Sequence, residues 1–379
     1  MTLEERLEAR PQRKLLAIDG GGIRGVLALE ILSKVEAELR DKAGNKHLCL
    51  ADYFDFIGGT STGAIVAAGL AKGMQVQEIL DFYIRCGADM FTRAGLMQRL
   101  KYRFEDEPLA AKLREVFGGR TTLGSNELRS LLLIVLRNAT TDSPWPIWNN
   151  PFAKYNARGR PDCNLGLPLW QLVRGSTAAP TYFPPEIISL KTREFIFVDG
   201  GVTMYNNPAF QMFLMATVDR YWPGAPAGKE PWPTGENKML VVSVGTGTNP
   251  GANARLKPEE MNLLFNASNI PSALMFAALN EQDFLCRVFG KCLAGDPLDR
   301  EVGDMIGSAG PLKHNGKLFT YLRYNAELTA AGLTAIGCGD IYPEDVQKLD
   351  SIAAVDALRR IGSEVGKRKV IRGHFDGFD

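Results

Sequence analysis

The stretch FDFIGGTSTGAIVAAGL, Phe54–Leu70, joins a short apolar run to a segment of small apolar residues through a Gly-x-Ser-x-Gly motif. The motif consists of Gly59, Thr60, Ser61, Thr62 and Gly63. A serine on a tight strand-to-helix turn needs small neighbours, and the free N–H groups at the start of the helix then lie close to it. The pattern predicts a strand over Tyr53–Ile57, a helix over Thr62–Leu70 and an exposed nucleophile at Ser61. The alternative is an ordinary turn in which Ser61 caps the helix.

A second glycine-rich turn, LLAIDGGGIRG at Leu15–Gly25, also lies between an apolar run and a helical pattern. Its loop residues are Gly20, Gly21, Gly22, Ile23, Arg24 and Gly25. Successive glycines let the backbone approach a phosphate, or the oxyanion that forms when a serine attacks an ester. A dinucleotide fold needs an acid at the end of the next strand, but Glu38 and Asp41 fall in or at the end of a helical pattern, and the charge of Asp19 would face a phosphate. We favour an oxyanion hole, while a nucleotide site and a purely structural turn stay open.

The candidate base lies in FIFVDGGVTMYNNPA, Phe195–Ala209, where Asp199 ends an apolar strand and is followed by Gly200 and Gly201. In an α/β fold, an acid at the carboxyl end of a strand lies on the face where ligands bind. Asp-Gly is also a common turn, in which the carboxylate caps its own backbone. Spacing alone does not separate these two interpretations.

These three motifs, in this order, resemble the patatin-like phospholipases, and two further stretches match as well. The additional matches are Ser176–Phe183 and Val241–Gly247. The resemblance covers about residues 14 to 250, and the remainder resembles the C-terminal helical part of cytosolic bacterial members. It implies a three-layer α/β/α fold and a Ser-Asp dyad without histidine, with Ser61 as nucleophile, Asp199 as base, and the amides of Gly21, Gly22 and their neighbours as the oxyanion hole. The implied activity is that of a phospholipase A-type lipid acyl hydrolase, and some relatives are lipases that a cyclic nucleotide activates in anti-phage defence.

The rest of the chain alternates predicted strands and helices, which favours a parallel or mixed sheet covered on both faces. The predicted helices are 23–39, 76–88, 107–116, 125–136, 169–176 and 207–221; the further strands are 15–18, 195–198 and 238–244. Residues 141–166, rich in Pro, Asn and Trp, are expected to form a loop. We expect one continuous domain over 1–379, with a motif-bearing core at 14–250 and a mostly helical part at 251–379.

Composition limits the partners that the chain is expected to have. A net charge of +1 over 379 residues gives no reason to expect a nucleic acid polymer. Six cysteines without Cys-x-x-Cys spacing argue against a zinc site and a disulfide framework, and no cofactor is expected. The N-terminus lacks an apolar signal core, so a cytoplasmic location is expected, with peripheral contact at the inner face of the membrane as a possibility.

The expected substrate is a membrane phospholipid, and Phe91–Phe104 mixes apolar residues with Arg93, Arg99, Lys101 and Arg103. Such a segment suits an anionic bilayer surface, although a core-packing helix with a solvated basic edge is the slightly favoured interpretation.

The three histidines are the alternatives to a carboxylate base. His47 lies in a polar loop, His314 in a turn-like loop, and His374 in a tail that is expected to be mobile. None has a setting that would hold an imidazole against a nucleophile.

Overall fold

The computed structural model describes residues 2–8, 10–90, 107–180, 182–191, 193–249, 263–312 and 316–379, with backbone only at 86–90 and 263–272. Its helices are α1 (Leu3–Arg6), α2 (Gly25–Ala43), α3 (Leu50–Tyr53), α4 (Thr62–Ala71), α5 (Val76–Met90), α6 (Glu107–Phe117), α7 (Leu169–Ser176), α8 (Ala209–Thr217), α9 (Leu263–Phe289), α10 (Ala330–Ala335), α11 (Pro343–Val346) and α12 (Val355–Lys369). Its strands are β1 (Arg13–Ile18), β2 (Phe56–Thr60), β3 (Leu131–Asn138), β4 (Ser143–Trp148), β5 (Glu186–Leu190), β6 (Arg193–Asp199), β7 (Met239–Val244), β8 (Gly290–Ala294) and β9 (Phe319–Tyr324).

The strands form one sheet in the order β5-β6-β3-β2-β1-β7-β9-β8, and β4 pairs with β3 outside this path. The pairs β1–β2, β1–β7, β2–β3, β7–β9 and β8–β9 are parallel. The pairs β3–β4, β3–β6 and β5–β6 are antiparallel. The sheet is therefore mixed but mainly parallel, which confirms the predicted α/β class.

Both faces of the sheet are covered, as the alternating side chains of β1 illustrate. Leu16 and Ile18 join a core cluster that includes apolar residues of α2, α4, α5 and α12. Leu15 and Ala17 point to the opposite face and join a second cluster, to which α8 contributes Met212. Successive side chains of a strand point to opposite faces, so one strand contributes to two apolar cores. The result is the expected three-layer α/β/α arrangement.

The register of the sheet brings the three motifs to one place. Ile18 of β1 pairs with Gly59 of β2, so the glycine loop and the serine turn start side by side. On the neighbouring strand β3, Val135 pairs with Thr60 and Leu136 pairs with Asp199. The last residues of β1, β2 and β6 therefore lie close together, and β6 reaches this point from the opposite direction because it is antiparallel to β3.

Two predicted elements in the middle of the chain are wrong. Residues 125–136 do not form a helix, because the second half of the run belongs to β3, whose side chains from Leu131 to Leu136 are all buried. An apolar run that is buried on both faces has no strand alternation and is easily taken for a helix. The expected loop over 141–166 contains β4, an edge strand in which Pro144 and Pro146 are tolerated because its outer side need not donate to a neighbour.

Other predictions needed smaller corrections. The part after residue 250 is not only helical, because β8 and β9 extend the sheet beyond β7. Tyr53 belongs to α3 and not to β2, and the helix expected over 207–221 is α8 followed by a 3-10 turn at Asp219–Tyr221. Within the described residues, every helix is too short or too polar to cross a bilayer.

Candidate active site

Ser61 occupies a strained position between β2 and α4. Its backbone has φ 54° and ψ −124°, a conformation that residues with side chains rarely adopt. The turn closes tightly, because a Cβ on Gly59 would overlap the carbonyl group of Gly63, and a Cβ on Gly63 would overlap the carbonyl of Ile18. Both motif glycines are therefore required by close backbone contact. Such strain persists only where the surrounding structure enforces it, and it is concentrated at functional sites.

Asp199 is the direct partner of the serine. The Ser61 hydroxyl donates to Oδ2 of Asp199 at 2.6 Å, and the Gly201 N–H donates to Oδ1 at 2.6 Å. The carboxylate is only 5% exposed, and this burial raises its pKa to about 6, against the lowering effect of both hydrogen bonds. A carboxylate with a raised pKa is a stronger base, yet it is still mostly ionised at neutral pH.

Ser176, which had no predicted role, holds the serine turn from behind. The backbone N–H of Ser61 donates to the Ser176 hydroxyl at 2.9 Å, and that hydroxyl donates to the carbonyl of Val135 at 2.6 Å. The bond occupies the N–H of Ser61, which is therefore unavailable to a substrate oxygen. The sequence showed only that Ser176 belongs to a stretch resembling the family.

The glycine loop leaves two of its six amides open. The N–H groups of Gly20, Ile23, Arg24 and Gly25 donate to the carbonyls of Asn206, Leu349, Gly21 and Gly22, respectively. The N–H groups of Gly21 and Gly22 have no acceptor among the described residues, and both residues are partly exposed. The hydrogen bonds thus narrow the candidate oxyanion donors to Gly21 and Gly22.

The carbonyl groups of the loop are turned away from this opening. The hydroxyls of Thr62 and Tyr83 donate to the Gly22 carbonyl at 2.7 and 2.8 Å, and the Thr246 hydroxyl donates to the Gly20 carbonyl at 2.7 Å. A Cβ on Gly21 would overlap the side chain of Thr246. Because these carbonyls are bonded elsewhere and the glycines have no side chains, the groups that remain at the opening are N–H donors, which suit an anion.

The glycine loop lies close to Ser61. A Cβ built on Gly20 would lie 3.2 Å from Cβ of Ser61 and would overlap Oδ1 of Asn206. The same Asn206 oxygen would be 3.1 Å from a Cβ on Gly201. The three predicted motifs therefore surround one point, and their common neighbour is Asn206, which lies in the stretch Phe195–Ala209 that resembles the family but had no predicted role.

Asp19 does not face the glycine loop opening as the sequence argument assumed. Its carboxylate is buried and forms a two-pronged ion pair with Arg323, with Oδ1···Nη1 3.0 Å and Oδ2···Nη2 2.6 Å. Its charge is therefore compensated by a residue from β9 and gives no argument against phosphate binding. The missing acid at the end of β2, where Thr60 precedes Ser61, still argues against a dinucleotide site.

His374 packs against Tyr324 of β9, although its tail is expected to be mobile. It lies in a helical turn, Arg372–Phe375, and its Nδ1 shares a 2.8 Å hydrogen bond with the Tyr324 hydroxyl, while burial lowers its pKa. Neither it nor the exposed His47 bonds to Ser61 or Asp199. His314 and the basic segment Phe91–Phe104 lie outside the described residues.

A cavity of about 890 Å³ lies elsewhere, between β4, the β5–β6 turn and the end of α8. Its lining includes Trp145, Tyr155, Phe195 and Tyr221, but neither Ser61 nor Asp199. It is therefore separate from the candidate active site.

With this geometry in place, comparison with known proteins gives a consistent assignment. The family model of patatin-like phospholipases matches residues 16–213, more than half of the 379 residues and a span that includes all three motifs. The chain belongs to the patatin-like phospholipase family.

Curated relatives and a solved structure add detail. Patatin-17 of Solanum cardiophyllum is 32% identical over 246 residues, and Patatin-15 of Solanum tuberosum is 31% identical over 247 residues. Each alignment covers 62% of this chain and 60% of the relative, so the chain spans about three fifths of the curated relatives it matches. The structure of VipD from Legionella pneumophila aligns over 93% of this chain and 67% of VipD, with 13% identity and a TM-score of 0.35.

Proposed function

We propose that this chain is a lipid acyl hydrolase of the phospholipase A type, which cleaves fatty acyl esters of membrane phospholipids through Ser61 and Asp199. The observation that carries the proposal is the 2.6 Å hydrogen bond from the strained Ser61 hydroxyl to the buried Asp199 carboxylate. Nucleophile and base at hydrogen-bond distance are the geometric requirement for covalent catalysis. Membership of the patatin-like phospholipase family supports a lipid ester as the substrate.

In the first step, Ser61 Oγ attacks the ester carbonyl carbon while its proton passes to Oδ2 of Asp199. The Gly201 N–H keeps Oδ1 in place, so the carboxylate presents one defined oxygen to the serine. The carbonyl oxygen becomes an oxyanion, which the N–H groups of Gly21 and Gly22 stabilise. One such donor is typically worth about 10²–10³ in rate. Collapse expels the alcohol, which takes the proton from Asp199 and leaves an acyl-enzyme at Ser61.

In the second step, water attacks the acyl-enzyme and gives a proton to Asp199. The second oxyanion then collapses, Ser61 leaves as the alcohol with that proton, and the fatty acid is released. General-base assistance of this kind typically contributes about 10²–10⁴ in rate. Asp199 thus serves both steps, and no histidine is required.

Access to the substrate is expected to involve the membrane surface. We extend the proposal to peripheral contact through Phe91–Phe104, on the basis of its mixed apolar and basic sequence. The test is the double change Arg99→Glu and Lys101→Glu, with Arg120→Glu and Lys46→Glu at exposed positions as the matched control. The first pair should weaken binding to anionic vesicles and spare a soluble ester. Equal loss of vesicle binding and of soluble-ester hydrolysis would mean that the segment stabilises the fold and does not contact the membrane.

The function itself is tested by release of fatty acid from phosphatidylcholine and phosphatidylglycerol vesicles, with Ser61→Ala as the control. We expect release that depends on Ser61, and its absence under all conditions would contradict the proposal. The same release assay with added cyclic nucleotides distinguishes a constitutive enzyme, whose rate does not change, from a nucleotide-activated effector, whose rate rises. A nucleotide that raises the Tm without supporting hydrolysis would favour the remaining alternative, a nucleotide-binding enzyme.

A further inference from the structure

Beneath the glycine loop lies a fully buried ion pair that the mechanism does not use. Asp19 directly precedes Gly20, and Arg323 lies on β9, two strands away from β1. Their side chains are only 1% and 2% exposed, and both prongs of the pair are within 3.0 Å. A two-pronged arginine–carboxylate pair fixes direction as well as distance. It therefore defines where β1 ends and where the glycine loop begins.

Arg323 is also connected, through Ser243, to the segment that contains Asn206 and Asn207. Its Nη1 donates to the Ser243 hydroxyl at 2.7 Å, and that hydroxyl donates to Oδ1 of Asn207 at 3.1 Å. The preceding residue, Asn206, accepts the N–H of Gly20 through its carbonyl at 3.2 Å. One guanidinium is thus connected to the end of β1, which leads into the glycine loop, and to the segment at Asn206 and Asn207, which contacts that loop.

The guanidinium is itself held from behind. Its Nε lies 3.8 Å from Oδ2 of Asp283, and this oxygen also accepts from Arg287. The other carboxylate oxygen of Asp283, Oδ1, accepts from the Tyr321 hydroxyl at 2.9 Å. These groups are buried between α9 and the sheet. Arg323 therefore has polar partners on two sides, which restricts the rotamers open to it.

We propose that Arg323 is a positioning residue for the oxyanion loop, acting through Asp19 on one side and Ser243 on the other. The inference rests on the proposed hydrolase function. Arg323 lies outside the span matched by the family model, so the C-terminal third of the chain takes part in forming the site. A buried ion pair is seldom the most stable solution for a core, and replacement of both partners is often tolerated by the fold. The pair should therefore matter more for turnover than for stability.

The test compares Arg323→Met, Arg323→Lys and the double variant Asp19→Asn/Arg323→Met with a matched control, Arg13→Met. Arg13 is as deeply buried and also pairs with a buried carboxylate, that of Asp55 at 3.0 Å, but it lies at the opposite end of β1 from the glycine loop and forms no hydrogen bond or ion pair with Asp19, Ser243 or Asp283. Two quantities are measured: kcat and KM for a soluble p-nitrophenyl ester, and amide hydrogen exchange of the peptide that covers residues 19–27.

We expect Arg323→Met and the double variant to lose about tenfold or more in kcat, with KM within about twofold of wild type. Loop exchange should accelerate by a similar factor, and Arg323→Lys should recover part of both properties. The control should lower the Tm but leave kcat and loop exchange close to wild type. Where Arg323→Met does not fold, the double variant decides, because it leaves no uncompensated buried charge.

The proposal is overturned if a folded Arg323 variant keeps wild-type kcat and loop exchange, or if Arg13→Met shows the same losses. Failure of the proposed function is separate, since it would appear as a wild-type protein without Ser61-dependent turnover. In that case the exchange comparison alone still decides whether Arg323 positions the loop.

Discussion

The hydroxyl of Ser61 donates to Oδ2 of Asp199 across 2.6 Å, although 138 positions separate the two residues in the chain. Strand β3 makes the contact possible, because Thr60 and Asp199 pair with its adjacent residues Val135 and Leu136. The serine therefore has its partner fixed by the register of the sheet and not by a flexible loop.

Replacing Asp199 with asparagine should lower kcat by about 10²–10⁴, because an amide cannot take the serine proton. Since burial raises the pKa of Asp199 to about 6, wild-type kcat/KM should rise with pH, reach half of its plateau at about pH 6 and level off above about pH 7. The pH–rate profile of ester hydrolysis measures this. A rise centred above pH 7 would point to another base.

The same carboxyl should oppose stability at high pH. Its folded pKa of about 6 lies above the ordinary 3.8, so the folded protein binds an extra proton between these values. Stability from this group is fully present below about pH 4 and is lost as the pH rises through 6. The loss amounts to about 3 kcal/mol at most.

Asp199→Asn should therefore raise the Tm at pH 8 and change it little at pH 4, while Asp345→Asn, at an exposed position, should change the Tm little at either pH. Thermal unfolding at the two pH values measures both variants. A lower Tm for Asp199→Asn at pH 8 would show that the carboxylate stabilises the fold, contrary to this account.

The strain at Ser61 predicts a difference between two inactive variants. Ser61→Ala keeps a side chain at φ 54°, whereas Ser61→Gly relieves the strain. Both should lose turnover, but the glycine variant should have the higher free energy of unfolding, by about 1 kcal/mol. Urea denaturation compares them, and an alanine variant that is equally or more stable would mean that the turn is not strained.

The oxyanion role of the loop is tested by Gly21→Ala. The added Cβ would overlap the Thr246 side chain, so the loop must shift and its N–H donors move. We expect a loss of about 10² in kcat with a much smaller change in KM. Gly119→Ala is the matched control, because nothing lies within 4 Å of its added Cβ. A loss confined to KM would favour a role in substrate binding.

His374→Ala separates structure from catalysis. The variant loses the hydrogen bond and ring contact with Tyr324, so its Tm should fall by a few degrees, roughly the effect of 1 kcal/mol in a protein of this size. Turnover should stay within a few-fold of wild type, as it should in His47→Ala. If His374→Ala falls as far as Asp199→Asn at a temperature where it is folded, the dyad is wrong.

The sequence predicts those parts of the fold that short-range patterns, such as glycine motifs between a strand and a helix, determine. The strand–glycine–helix motifs at Gly20 and Ser61 fix their turns through backbone sterics, which act over a few residues. The strand β3 had no such signal, because a run buried on both faces lacks periodicity. The strands β8 and β9 are stabilised by pairing with a sheet that is distant in sequence, so they were missed within a part expected to be helical.

In the candidate active site too, residues within motifs could be predicted and residues that act through long-range contacts could not. The motif residues Ser61 and Asp199 could be named, but Ser176, Asn206 and Arg323 act through contacts between segments far apart in the chain. Which loop amides stay open also depends on tertiary contacts, since the carbonyl that takes the Ile23 N–H belongs to Leu349. Neither partner carries a sequence signal for that bond.

The most direct test of the account is the position of the covalent adduct formed with a fluorophosphonate, determined by peptide mass spectrometry. We predict one adduct, on Ser61, that a competing lipid ester suppresses and that forms much more slowly in Asp199→Asn. Modification of another serine, with Ser61 unmodified and ester hydrolysis lost, would contradict the assignment of Ser61 as the nucleophile.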